Sequence, residues 1–281
     1  MTRLPTDEEV ARYRADGAIC LRGAFALDWI ERLREAVDAD MASPGPMVRL
    51  NTPQGAPGLF FVDFQLWQRH AGARDFVYRS PAREIAARLM GSREVVYYHD
   101  HLLVKEPGTA EPTPLHQDLP YWPVKGEHIM SVWVPFDPVR FDSGAVQYVY
   151  GSHTWGKLYA PKSFGKDSGF APMYSKSGFL TMPPETELLE GQRVLKWETE
   201  PGDVIVHHPR TLHFSRGNSR SDLRRRAVAL RYLGDDACFD ARPGTFMENP
   251  KVQALLPSGQ YEFKDGERMI NEAFPLVWPR A

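Results

Sequence analysis

Cysteine is almost missing from this chain: Cys20 and Cys238 are the only two among 281 residues. Two distant cysteines exclude a disulfide framework and a multi-cysteine zinc or iron–sulfur site. Net charge is nearly missing too, with 34 basic against 36 acidic residues and a formal charge of -2. A balance of that kind lacks the basic footprint that nucleic acid or an anionic membrane surface selects. No apolar run approaches the roughly 18 residues of a membrane span. The opening MTRLPTDEEVARYRADG is acidic and has no apolar core of a signal peptide. These absences leave the expectation of a cytoplasmic protein that handles a small molecule, with no nucleic-acid or membrane partner and an oligomeric state that the sequence leaves open.

What is present is the composition of an ordinary globular chain, 42% hydrophobic and 25% charged. Near the start, Thr6 and Glu9 form a capping box for a helix that Gly17 ends. Asp28 is placed to cap a second helix with Ile30, Leu33 and Val37 on one face, and Ser80-Pro81 opens a third through Ile85, Ala86 and Leu89 to Gly91. From Val95 the texture changes to short β-rich runs, VVYYHDHLLV, HIMSVWVPF, AVQYVYG, VLKWE, DVIVHH and RAVALRYL, separated by turn formers. Strands at that spacing without long intervening helices predict an antiparallel sandwich or barrel. The expected organisation is one domain over 1–281: a helix-rich support at 1–92 that gives part of the pocket, a β core at 93–240 and a C-terminal extension at 241–281. Residues 153–195, rich in Gly, Ser, Lys and Pro, are expected to be a long insertion that serves as a lid or binding loop, or else a plain surface excursion.

The stretch HQDLPYWPV, residues 116–124, places an imidazole, an amide and a carboxylate side by side, groups that are costly to bury without partners. In a strand, residues two apart share a face, so His116 and Asp118 can aim at one point while Gln117 faces away. On its own, an HxD pair fits a solvated loop better than a metal site. Further on, PGDVIVHHPRTLHFSRGNSRSDLRRRAVALRYLGDD offers His207, His208 and His213 as rivals for a third ligand position. Two histidines and a carboxylate leave one side of a metal open, a geometry that favours non-haem Fe(II) over a closed zinc site. Such enzymes mostly use 2-oxoglutarate as co-substrate, whose far carboxylate calls for a bidentate, permanently charged donor, and the arginine run at 224–226 supplies it.

Taken in order, HQDLPYWPV, HIMSVWVPFDPV, SGAVQYVYGSHTWG, GDVIVHHPRTLHFSRGNS and RRRAVALRYLGDD resemble the phytanoyl-CoA dioxygenase family of Fe(II)/2-oxoglutarate oxygenases. The resemblance covers most of the chain and implies a mainly β protein with flanking helices, built on the double-stranded β-helix, or jelly roll, of the cupin type. It also implies a dioxygenase with Fe(II), and with 2-oxoglutarate and O₂ as co-substrates, that oxidises a C–H bond of a small organic substrate and releases succinate and CO₂. By the same transfer the ligands are His116, Asp118 and His213, the last because HFSRGN matches the distal motif. His207 and His208 then keep structural roles at a strand end, with His208 a possible partner behind a ligand.

Gln117, Trp133 and Ser215 match co-substrate contacts of the family. Counting eleven residues from His213 selects Arg224 as the 2-oxoglutarate anchor, and anchoring on arginine-x-alanine selects Arg225 second. Phe214 and Tyr150 stand where the family usually has a small residue and a proline. A carboxylate at Asp118 argues for oxygenation, since halogenating relatives have a small residue there. Expected pocket walls are Tyr98, His101, Tyr121 and Trp122, with Phe61 and Phe64. Two other readings remain open at this stage: a non-catalytic cupin-like binding protein, and a zinc hydrolase on the same three ligands.

Overall fold

The computed structural model describes residues 3–161, 175–255 and 261–279. Five helices lie in the first third: α1 (Asp7–Asp16), α2 (Leu27–Ala42), α3 (Leu66–Arg69), α4 (Ala71–Arg79) and α5 (Ala82–Met90). The strands are β1 (Ala18–Leu21), β2 (Arg49–Leu50), β3 (Phe60–Phe64), β4 (Val95–Lys105), β5 (Thr113–His116), β6 (Val124–Lys125) and β7 (Ile129–Pro135). They continue with β8 (Val146–Val149), β9 (Val194–Lys196), β10 (Val204–His207), β11 (His213–Ser215), β12 (Arg225–Leu233), β13 (Cys238–Phe239) and β14 (Leu276–Trp278).

An eight-stranded sheet runs β1-β10-β7-β12-β4-β3-β2, with β14 also paired to β4. A four-stranded sheet, β5-β11-β8-β9, faces it. This is the expected jelly roll. The large sheet takes strands from the helix-rich N-terminal segment and from the C-terminal segment, so neither segment stands apart from the core.

Local chemistry explains most of the elements. Thr6 and Glu9 form the reciprocal capping box of α1, and Gly17, at φ 80, ends the helix in the left-handed region that glycine enters without cost. The second helix begins two residues earlier than its charge pattern indicates: Ala26 is the N-cap and Asp28 lies inside the first turn, where a negative charge favours the helix dipole. Helices α3 and α4 lack local start signals. The amides of Leu66 and Trp67 donate instead to the Asp100 carboxylate on β4, at 2.7 and 3.1 Å.

Alternation along β12 sorts its side chains between two environments. Val228, Leu230 and Tyr232 pack outward with Val132, Val134, Val204 and Val206 against Ile30, Leu33, Phe76, Ile85 and Leu89 of the helices. Each such buried aliphatic or aromatic side chain contributes about 1.5–3 kcal/mol relative to exposure. Arg225, Ala229 and Arg231 face the other way, into the space between the sheets.

In the long insertion, residues 162–174 lie outside the described residues. The described flanks are tied down: Ala160 N donates to Leu180 O at 2.8 Å, and a short helix forms at Glu185–Leu189. No helix among the described residues is long and apolar enough to cross a membrane.

Candidate metal centre and its cavity

The two ligand candidates from distant parts of the chain, His116 on β5 and His213 on β11, are direct register partners across the small sheet. Their ring centroids are 4.1 Å apart. Each imidazole is fixed from behind, His116 Nδ1 by Pro114 O at 2.7 Å and His213 Nδ1 by Thr211 O at 2.9 Å. A carbonyl accepts only from N–H, so both rings carry a proton on Nδ1 and turn Nε2 to the same point. Asp118 Oδ1 lies 3.6 Å from His116 Nε2 and 3.8 Å from His213 Nε2. The ligand atoms of the three residues all fall within 4.8 Å of one another, and all three residues are buried.

The pleat of a strand is not what brings Asp118 to this point. Strand β5 stops at His116, and Asp118 has helical backbone angles, φ -73 and ψ -43, ahead of a 3-10 turn over Leu119–Tyr121. The amides of Asp118 and Leu119 both donate to Pro209 O, at 2.8 and 3.0 Å, which ties the turn to the loop leading into β11. Gln117 is used in the same splice. It donates to Lys157 O and Arg210 O at 3.0 and 2.8 Å and accepts from Tyr159 N at 3.0 Å.

The second carboxylate oxygen of Asp118 is held by the large sheet. Ser131 Oγ donates to Oδ2 at 2.8 Å, His207 Nε2 lies at 3.2 Å and Arg231 Nη2 at 3.4 Å. Those three residues form one cross-strand row, His207 opposite Ser131 and Ser131 opposite Arg231, which continues to His99 on β4. Burial alone would push the Asp118 carboxyl up, but Arg231 with His116, His207 and His213 outweighs it and holds the group well below the usual carboxylate range. Burial pushes His213 well down, so its ring is neutral. A deprotonated carboxylate and a neutral imidazole are the forms a metal needs. Against expectation, His207 rather than His208 stands behind the ligands. His208 packs against His153, with ring centroids 5.5 Å apart, and accepts from Arg210 N on Nδ1 at 3.2 Å.

The three consecutive arginines go to different places. Arg224, the first choice by counting, pairs with Glu106 and is 39% exposed, so its guanidinium points away from the cavity. Arg226 is clamped between Asp137 at 2.8 Å and Asp38 at 2.5 Å on the helix side. Arg225 is 1% exposed, lines the cavity, donates to Leu103 O at 3.2 Å, and keeps Nε without a partner among the described residues. Desolvation pushes its guanidinium down to about 10. Trp133 lies beside it, 5.8 Å from ring centroid to guanidinium carbon, with its own Nε1 buried and without a partner among the described residues. Ser215 is buried but not in the cavity wall, and its hydroxyl accepts from Lys105 Nζ at 2.9 Å.

Of the expected pocket walls, His101, Tyr121, Trp122 and Phe64 line the cavity. Phe64 and His101 stack at 4.3 Å. Phe61 lies in the helix-side core. Tyr98 packs at the barrel end, 5.8 Å from Trp122 and 5.4 Å from Phe274, and does not reach the cavity. Leu103, His101 and His99 enter the cavity at a step of two, so Tyr98 is off that step, and the bulge beside it, where Arg231 pairs with His99 but Tyr232 pairs with Tyr97, leaves it unmatched. Sequence reasoning missed Ser131, Arg231 and His99. All three were visible signals: Ser131 is the polar residue inside IMSVWVP, Arg231 is reached by stepping in twos from Arg225, and His99 by one such step from His101.

Comparison with known proteins adds three findings. The family model for phytanoyl-CoA dioxygenase (PhyH) matches residues 13–227. A probable alpha-ketoglutarate-dependent hypophosphite dioxygenase of Stutzerimonas stutzeri is 30% identical over 146 residues, 51% of this chain and 47% of the relative. A probable phytanoyl-CoA dioxygenase of Caenorhabditis elegans is 29% identical over 146 residues, 50% of this chain and 43% of the relative. These matches therefore span about half the length of the curated relatives. Among solved structures, the non-heme alpha-ketoglutarate-dependent carbocyclase SnoK from nogalamycin biosynthesis superposes with a TM-score of 0.74 at 22% identity, covering 97% of this chain and 96% of that one. EctD from S. alaskensis, with 2-oxoglutarate and 5-hydroxyectoine, gives 0.64 at 19% identity over 82% and 76%. At such identities these structures speak for the fold, and the family follows from the match that runs through the helices, the His116–Asp118 turn and the β11–β12 segment: this chain belongs to the phytanoyl-CoA dioxygenase family.

Proposed function

We propose that the chain is an Fe(II)- and 2-oxoglutarate-dependent oxygenase that oxidises a C–H bond of a small organic molecule. The observation that carries the reading is the pairing, in one cavity, of a three-ligand metal centre with a buried arginine that has no acidic partner among the described residues. His116 Nε2, Asp118 Oδ1 and His213 Nε2 would hold the metal. Three protein ligands on one side leave positions for a chelating co-substrate and O₂. The bound iron and 2-oxoglutarate would supply the oxidising chemistry, with succinate and CO₂ released.

The chain's own residues do the rest. Arg225 receives the distal carboxylate of 2-oxoglutarate through a charge-assisted contact in a dry site, with the Trp133 indole N–H beside it. Ser131, His207 and Arg231 occupy Oδ2 of Asp118 and leave Oδ1 to the metal, which fixes the carboxylate's orientation. Tyr121, Trp122 and Phe64 exclude water and offer apolar surface to a substrate carbon. The carboxylate at Asp118 fills the position that a halide would need, so the product is oxygenated rather than halogenated.

Anaerobic addition of Fe(II) and then 2-oxoglutarate tests the reading. The expected result is a weak visible charge-transfer band in the unmodified protein and its loss in His213→Ala. A protein that binds Zn(II) tightly but gives no band and no 2-oxoglutarate binding would overturn it.

A further inference from the structure

The Asp118 carboxylate occupies only part of Arg231. That guanidinium is 4% exposed and lies over the Trp122 ring at 5.4 Å, and its Nη2 approaches Asp118. Its Nε and Nη1 are buried with no partner among the described residues. The next residue in the row, His99, is 8% exposed and has Nδ1 buried and unpartnered. One strand step away, His101 has Nε2 in the same condition, opposite Ala229, whose small side chain leaves room in front of it. All of these residues line the cavity. Several buried polar nitrogens lining one space without a partner, of which the Arg231 Nε and Nη1 can only donate, are costly unless a ligand completes them.

Charge points the same way. In the cavity wall Asp118 is the single acidic side chain among the described residues, against three arginines, Arg49, Arg225 and Arg231. On the reading of the previous subsection, a divalent metal and the dianionic co-substrate cancel each other, and Arg231 and Asp118 form one neutral pair. The cavity wall then keeps a net positive charge, a state that an additional anion relieves.

We infer that the primary substrate carries an anionic group, a carboxylate or an oxyanion of similar size, and that Arg231, with His99 and His101, receives it at the metal end of the cavity while Trp122 and Tyr121 cover its apolar part. Arg225 and Arg231 stand at opposite ends of the cavity face of β12, so the two positive charges take two different ligands. Arg231 thus selects substrate as well as orienting Asp118.

This inference rests on the oxygenase reading, and the test keeps the two apart. Phenylacetate and hexanoate are titrated against their amides, phenylacetamide and hexanamide, by calorimetry on the metal-free protein and on the anaerobic Fe(II)·2-oxoglutarate complex. In the complex, the charge-transfer band reports co-substrate binding separately. The expected result is at least tenfold tighter binding of the acids in both forms. That preference disappears in Arg231→Met and shrinks in His99→Phe, with 2-oxoglutarate affinity changed less than threefold in His99→Phe. Equal binding of acids and amides, no binding of any acid, or a preference that survives both substitutions overturns the inference. It also fails if Arg231→Met loses 2-oxoglutarate binding while keeping the acid preference, because the guanidinium then serves the co-substrate. If Arg231→Met does not fold, the His99→Phe ratio decides. Absence of the band in the unmodified protein defeats the oxygenase reading alone, since the acid preference of the metal-free form is measured without it.

Discussion

Ser131 Oγ donates to Asp118 Oδ2 at 2.8 Å from the middle of an otherwise apolar strand. The bond joins the large sheet to the turn that carries the metal carboxylate, and His207 reaches the same oxygen at 3.2 Å. Groups that orient a metal ligand typically account for 10- to 100-fold in metal affinity. Ser131→Ala and His207→Phe are each expected to weaken Fe(II) binding by about tenfold or more. His208→Ala, which removes a ring packed on His153 instead, should leave affinity within about threefold. Competition with a calibrated chelator measures all three. Unchanged affinity in both Ser131→Ala and His207→Phe would mean that the row does not hold the carboxylate.

Arg224 and Arg225 are neighbours in sequence and opposites in environment. Arg224 forms a partly exposed ion pair with Glu106, a kind of contact worth about 0–1 kcal/mol. Arg225 is buried, and a charge-assisted hydrogen bond from it is worth about 1.5–3 kcal/mol. Arg225→Ala should therefore raise the 2-oxoglutarate dissociation constant at least tenfold, and Arg224→Ala should leave it within about twofold. Titration followed by the charge-transfer band separates the two, and the reverse ranking would restore the eleven-residue count.

Much of this site was legible because its signals are local. The HxD pair, the HFSRGN motif and the arginine-led strand all lie within short stretches, and alternation alone puts Arg225 on the face opposite Arg224 and Arg226. What was not legible depends on distant partners. Asp100 supplies the cap for α3 from a strand that follows it by more than thirty residues, so QLWQR has no start signal of its own. The β4 bulge at Tyr98 is set by pairing with β12, and it turns Tyr97 from the cavity side to the helix-side core. Asp118 reaches the metal point through a turn tied to Pro209 rather than through the pleat, so the expected ligand had the right position for a reason the sequence does not display.

Acid should destabilise the metal-free protein through histidines that are buried neutral. Burial pushes His208 down to about 3, with His153 and Arg210 adding to the effect. The unfolded chain binds a proton at about 6.5, and the folded chain resists it. Stability is therefore full above about 6.5 and is lost as pH falls from there towards about 3, with a limiting slope of about 1.4 kcal/mol per pH unit for one such histidine. Urea midpoints between pH 7.5 and 4.5 should fall steadily in the unmodified protein and less steeply in His208→Gln. Identical slopes would show that His208 is protonated in the folded state without penalty.

Ala229 offers the sharpest separation of fold from function. It sits on β12 between Trp133 on β7 and His101 on β4, is 1% exposed, and faces the cavity rather than the helices. A larger side chain there grows into open space, so the overpacking cost of about 1–3 kcal/mol that applies in a filled core should be mostly absent. The neighbouring Val228, on the outer face, has no such space: Val228→Leu should cost stability in that range because it presses on the helix-side core. Ala229→Leu is thus expected to keep the urea midpoint near that of the unmodified protein and to retain Fe(II) binding, since no ligand is touched. It should weaken 2-oxoglutarate or substrate binding by at least tenfold, because its methyl groups occupy the passage between Arg225 and the metal. Equilibrium unfolding and the charge-transfer titration together read the outcome. A destabilised Ala229→Leu with normal ligand binding would mean that the space in front of Ala229 is closed and that the cavity runs elsewhere.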